Sequence, residues 1–186
     1  MRKKLTKKEK KDRTAQWVVG ILLAFVMLGS IFGIVVDSIT STNTQPEKIT
    51  YKGQEFLKID NRYHLSFEDI QFSFINNPNN LTNTEVNITK TISNYIEKPL
   101  YLNSKDQASI TEIYLNLERF TQRIQLACVD EEDCEGNLPI KNCEDNLIII
   151  KESQENKIYQ EENCIFIEGQ ELSKLTDQLI LKLIGL

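Results

Sequence analysis

Four cysteines and a run of acids are the side chains of this sequence with the most chemistry to offer. The stretch CVDEEDCEGNLPIKNC, residues 128–143, holds Cys128, Cys134 and Cys143, and Cys164 completes the set. Thiols grouped in this way bind zinc, exchange disulfides or form structural bridges. Structural zinc sites favour ligand pairs about two to four residues apart. The gaps here are five, eight and twenty residues, and the one histidine, His64, lies far upstream. A thioredoxin-like centre needs C-x-x-C beside a βαβ unit, and the chain has no such pair. Two structural disulfides are therefore expected. Four cysteines allow about three pairings. If residues 146–152 and 157–163 form a hairpin turning near Gln154, Cys143 and Cys164 fall almost opposite each other. Their separation would be about 4.5–5.5 Å, within reach of a bridge. Cys128 and Cys134 would then close the acidic loop.

The acids of that loop, Asp130, Glu131, Glu132, Asp133 and Glu135, could in principle attract calcium, but the EF-hand ligand spacing and its glycine are missing. A solvated loop is the expectation. The sequence contains no G-x-S-x-G elbow, no phosphate-binding glycine loop and no H-E-x-x-H. A Ser-His-Asp or Cys-His site would have to use His64, which alternates with Tyr63 and Leu65 and so belongs to the wetter face of a strand. No catalytic, cofactor-binding or metal-binding residue is assigned, and no enzyme activity is expected. Two N-x-[ST] sequons, at Asn80 and Asn87, are candidate glycan acceptors on exposed loops.

Bridged cysteines require an oxidising compartment, and the N-terminal residues bear on which compartment that is. The net charge is -5, but it is unevenly spread. Residues 1–16 hold eight Lys or Arg and two acids, or +6, which leaves -11 for the rest. A basic tip on an acidic body argues against nucleic-acid binding, which clusters basic residues on the folded domain. Residues 17–36 form a run of 20 residues without a charge. At about 1.5 Å per residue such a helix crosses a hydrocarbon core of about 30 Å. Trp17 opens it at the depth an indole favours. Basic residues precede the span and few follow it, so the tip is expected in the cytoplasm and residues 37–186 outside the cytoplasmic membrane. A cleaved secretory signal would have a shorter apolar core and a small-residue cleavage site; here the span runs into VVDSITS. The segment DRTAQWVVGILLAF also resembles the start of archaeal type IV pilin precursors. Ala15 and Gln16 match that family's cleavage junction, whereas Thr14 stands where a charge is usual. That resemblance implies a filament subunit beginning at Gln16, the alternative to an uncleaved anchor.

Residues 37–48, DSITSTNTQPEK, read as a flexible stalk, so the folded domain is expected over residues 49–186. Its first part reads as a β-meander. KG and DN mark turns, while Tyr63, Leu65 and Phe67 share one strand face, as do Ile70, Phe72 and Phe74. After an Asn-rich loop, KPLYL reads as a short strand. Ile110, Ile113, Leu117, Phe120, Ile124 and Ala127 recur at helical spacing and predict a long helix, with Ser104 and Gln107 as its capping box. NLIIIKES and KIYQEENCIFIEG supply further strands. In QELSKLTDQLILKLIGL, Leu172, Leu175, Leu179 and Leu183 form an apolar helix stripe, with Ser173, Lys174, Asp177, Gln178 and Lys182 on the wetter side. Gly185 suits the helix stop. The expected fold is α+β: a meander followed by β-α-β-β-α, with an antiparallel or mixed sheet and helices on one face.

At IQLACVDEEDCEGNLPIKNC and at the closing NCIFIEG…LKLIGL, the chain resembles uncharacterised single-pass membrane proteins of small-genome archaea. The resemblance implies an archaeal source and a single membrane span, and it brings no catalytic residues. The expected function is an extracytoplasmic interaction or structural domain held at the membrane, with a protein partner or a second copy as its binding partner. An extracytoplasmic enzyme or redox protein is the remaining alternative.

Overall fold

The structure is a computed structural model, and it describes residues 17–27, 46–81, 84–132, 134 and 136–186. The chain divides into two compact units, residues 1–45 and residues 46–186. In the first, residues 17–27 form a helix, α1, whose large apolar side chains are exposed. Among the described residues no helix is long and apolar enough to cross a membrane. The expected span continues through residues 28–36, and the expected stalk occupies residues 37–48; residues 28–45 lie outside the described residues, whereas Glu47 and Lys48 belong not to a stalk but to the first strand of the folded unit.

The second unit is a mixed α+β fold. Strands β1 (Glu47–Tyr51), β2 (Gln54–Ile59), β3 (Arg62–Phe67) and β4 (Ile70–Phe74) form an antiparallel meander in that order. The three connections are two-residue turns, Lys52–Gly53, Asp60–Asn61 and Glu68–Asp69, with positive φ at both residues. Turns of this hand match the twist of the strands they join. Register then sets Phe56 beside Leu65 and Leu65 beside Phe72. All three are buried, and with Phe74 they make one apolar face.

The second sheet has six strands. β5 (Val86–Asn87), β6 (Pro99–Asn103), β7 (Arg123–Leu126), β8 (Leu147–Glu152), β9 (Lys157–Glu161) and β10 (Cys164–Gly169) lie in the order β5-β9-β10-β8-β6-β7. β9 and β10 are antiparallel, and every other neighbouring pair is parallel. Helices α2 (Gln107–Leu117) and α3 (Leu172–Leu183) pack on one face of it. Ile113 and Leu117 of α2, and Leu172, Leu175, Leu179 and Leu183 of α3, cover Leu100, Leu102, Ile148, Ile150, Ile165 and Ile167. The opposite side of α3 carries Ile180 and Leu181 into the meander core. The helices are thus the middle layer between two sheets, which is how a chain of this length buries two sheet faces.

Three features differ from the sequence reading. The long helix is shorter: α2 ends at Leu117, and Ile124 belongs to strand β7. Its N-cap is Asp106, whose carboxylate accepts from Ser109 N–H at 2.8 Å, while Ser104 Oγ accepts from Asp106 N–H. The apolar residues of RIQLAC alternate as well as recur at helical spacing. Parallel pairing of Leu100 with Ile124 and Leu102 with Leu126 decides between the two patterns. Cys128 therefore follows a strand, not a helix. Second, β8 and β9 do not form a hairpin, because β10 lies between them and pairs with β8 in parallel. A central strand flanked on both faces reads as a continuous apolar run, and LIII does so, which leaves pairing direction open. Third, Asp177 is on the inside of α3, fully buried, rather than on its wetter side. The meander covers that side of the helix, so polarity there no longer signals solvent.

Candidate ligand cleft

The carboxyl ends of β6, β7 and β8 open into a cleft of about 930 Å³. From β6 the chain leaves through α2 towards the outer strand β7, whereas from β8 it leaves the opposite way towards β9 and β10. Diverging connections leave a crevice between adjacent parallel strands, and such crevices are where open α/β sheets bind ligands. Leu102, Leu126, Ile150 and Leu172 give the cleft an apolar floor. Asn103, Lys105, Asp106, Asp130, Lys151 and Glu152 stand around it as polar groups. Asn103 Nδ2 donates to Ala127 O at 3.0 Å, tying the ends of β6 and β7 together. Lys151 Nζ pairs with Glu168 at 3.0 Å.

The Cys128–Cys134 disulfide forms one wall, with Cα atoms 5.4 Å apart. Cys128 N–H donates to Pro139 O, and Lys141 N–H donates back to Cys128 O, so residues 139–141 continue the sheet beyond β7. This arrangement holds Val129, Leu138 and Ile140 at the surface, and all three are at least a third exposed. Cys143 and Cys164 form the second disulfide, with Cα atoms 4.9 Å apart, and no cysteine is free. It joins the segment before β8 to the first residue of β10, on the sheet face away from the helices. On that face Tyr101 lies under two cations: Lys141 Nζ is 4.3 Å from the ring centroid, and Arg123 donates to the Tyr101 hydroxyl at 3.0 Å. The hydrogen bond from Arg123 draws the Tyr101 phenol below its ordinary value, and the bond to Asp145 draws Lys141 above its own.

The other residues singled out in the sequence lie apart from the cleft. His64 is in β3, half-exposed, beside Leu57 and Ser73. Asn80 ends a short 3-10 turn and is exposed; Asn87 is exposed on β5 rather than on a loop. Asp130, Glu131 and Glu132 are exposed, and Asp133 and Glu135 lie outside the described residues. Among the described residues no three His, Cys, Asp or Glu side chains gather as a metal site would require. The cleft itself was not found in the sequence. Its one local signal is the step from PLYLN to S-x-D before α2, a strand end followed by a helix cap.

The chain matches no protein-family model, no curated protein and no solved structure.

Proposed function

We propose that this chain is an extracytoplasmic interaction module, tethered to the cytoplasmic membrane by the apolar segment that begins at Trp17, and that the cleft at the carboxyl ends of β6, β7 and β8 receives a partner protein. The observation that carries the reading is the pair of disulfides, which use all four cysteines and belong to an oxidising compartment. The basic tip before an uncharged run supports an inward N-terminus. The cleft supports binding: it offers an apolar floor, a capped helix start and a paired charge. Exposed Val129, Leu138 and Ile140 beside it extend the apolar surface available to a partner.

The reading is tested in native membranes. Protease added to sealed, right-side-out cells removes the folded domain, and thiol reagents label it only after reduction. A photo-crosslinking residue at Leu138 captures one partner, while the same residue at Leu115, exposed on α2 and outside the cleft, does not. Protection from external protease, or equal capture at both positions, overturns the proposal.

A further inference from the structure

The place where α2, α3 and the meander meet holds two buried carboxylates and one cation. Glu112 of α2 is 1% exposed and takes Arg62 Nη2 of β3 on both oxygens at 2.8 Å. Arg62 also donates through Nε to Ser73 Oγ at 2.7 Å and through Nη2 to Ser73 O at 3.0 Å. Asp177 of α3 is fully buried, and its Oδ2 accepts from both N–H and Nδ2–H of Asn76, each at 2.9 Å. Its Oδ1 receives no donor, and the charged side chain that acts on its carboxyl is Glu112. The remaining strands against α3 present apolar side chains, Val86, Ile148, Ile150, Ile165 and Ile167. On α3 itself Lys174 is paired with Glu171.

An ionised Asp177 would therefore be a second buried negative charge beside Glu112, with one oxygen unsolvated and a single arginine to serve both. We propose that Asp177 and Glu112 share one proton, donated from Asp177 Oδ1 to the Glu112 carboxylate, and that its loss to solvent at alkaline pH releases the meander from the helical layer. The contacts at stake are the ones that dock the meander: Asn76 to Asp177, and Arg62 to Glu112.

Burial, and then the Glu112 charge, push Asp177 up from 3.8 to about 8. A carboxyl raised in the folded state binds a proton on folding. Its contribution to stability is complete below about pH 4 and is lost as pH rises through about 8. Buried Lys90, lowered to about 8 by desolvation, acts with the opposite sign above that pH, so the informative window ends at pH 8.

Amide exchange on the full chain between pH 6 and pH 8, corrected for base catalysis, reads the opening directly. The opening constant of amides in β3 and β4 is expected to rise roughly fifty-fold across this window, while β8 and β10 keep their protection. Asp177→Asn replaces the shared proton with a permanent amide N–H, and its β3 and β4 amides should change less than two-fold. Glu112→Gln removes the like charge and moves the rise to lower pH, which keeps the test available if the first variant fails to fold. A wild-type change below three-fold, an equal rise in β8 and β10, or an unaltered rise in Asp177→Asn or Glu112→Gln overturns the proposal.

Discussion

Asn116 offers Ser73 what a fifth strand of the meander would offer. Its Oδ1 accepts from Ser73 N–H and its Nδ2 donates to Ser73 O, both at 2.9 Å. β4 is an edge strand, and an unpaired edge invites pairing with other chains; one side chain on α2 satisfies part of it. Removing that amide leaves the half-buried Ser73 N–H without its partner, while Ser73 O keeps Arg62, so Asn116→Ala should lose about 2 kcal/mol in urea unfolding. Arg62→Ala strips Glu112 of the cation that pairs with it on both oxygens. Breaking a buried pair from one side costs about 3–5 kcal/mol, and because Arg62 is 25% exposed the expected loss is about 3 kcal/mol. These two losses should exceed additivity in the double variant, since Ser73 O keeps one donor in each single variant and neither in the double. Neither role was legible in the sequence. Asn116 and Glu112 lie among the polar positions of an amphipathic helix, where solvent is the ordinary expectation, and only the docked meander makes them interior.

At the level of elements, the two disulfides close loops of different size. Cys128 and Cys134 are 6 residues apart, and Cys143 and Cys164 are 21 apart. If stabilisation comes from restricting the unfolded chain, it grows with the logarithm of loop length. Replacing Cys143 and Cys164 together by alanine should therefore cost about 3 kcal/mol, against about 2 kcal/mol for Cys128 and Cys134. Calorimetric melting of the two double variants checks the order. The smaller bridge should matter more for the cleft: without it, amides of residues 128–141 should lose protection while β8 and β10 keep theirs. The elements most legible in the sequence are those whose signal is local. The meander shows strict alternation and turn residues, and α3 shows a leucine stripe that ends at Gly185, which has φ 88. The stretch after α2 was misread because its apolar residues satisfy helical and strand periods together. The tie is broken by β6, a segment with no local signature of being its neighbour.

At the scale of the molecule, residues 46–186 form their own compact unit with two sheets and the helices between them. Among the described residues, the apolar clusters of that unit are drawn from residues 49–186. A chain beginning at Pro46 should therefore fold with both disulfides and melt within about 2 °C of the full chain, since the described core lies within it. Melting lower by ten degrees or more would show that the N-terminal residues contribute to the folded core.

The amino-acid sequence determined by itself where apolar side chains recur, where turns fall, that four cysteines have spacing unsuited to zinc, and that a basic tip precedes an uncharged run. These are local properties, written in composition and period. Only the tertiary structure decided that β10 separates β8 from β9, that diverging connections open a cleft beside β6 and β8, and that Glu112, Asn116 and Asp177 are interior. Each of those depends on which distant segment comes to lie alongside. A residue's own neighbours in the chain carry no record of that, because sheet order and layer stacking are settled by the burial of whole faces together.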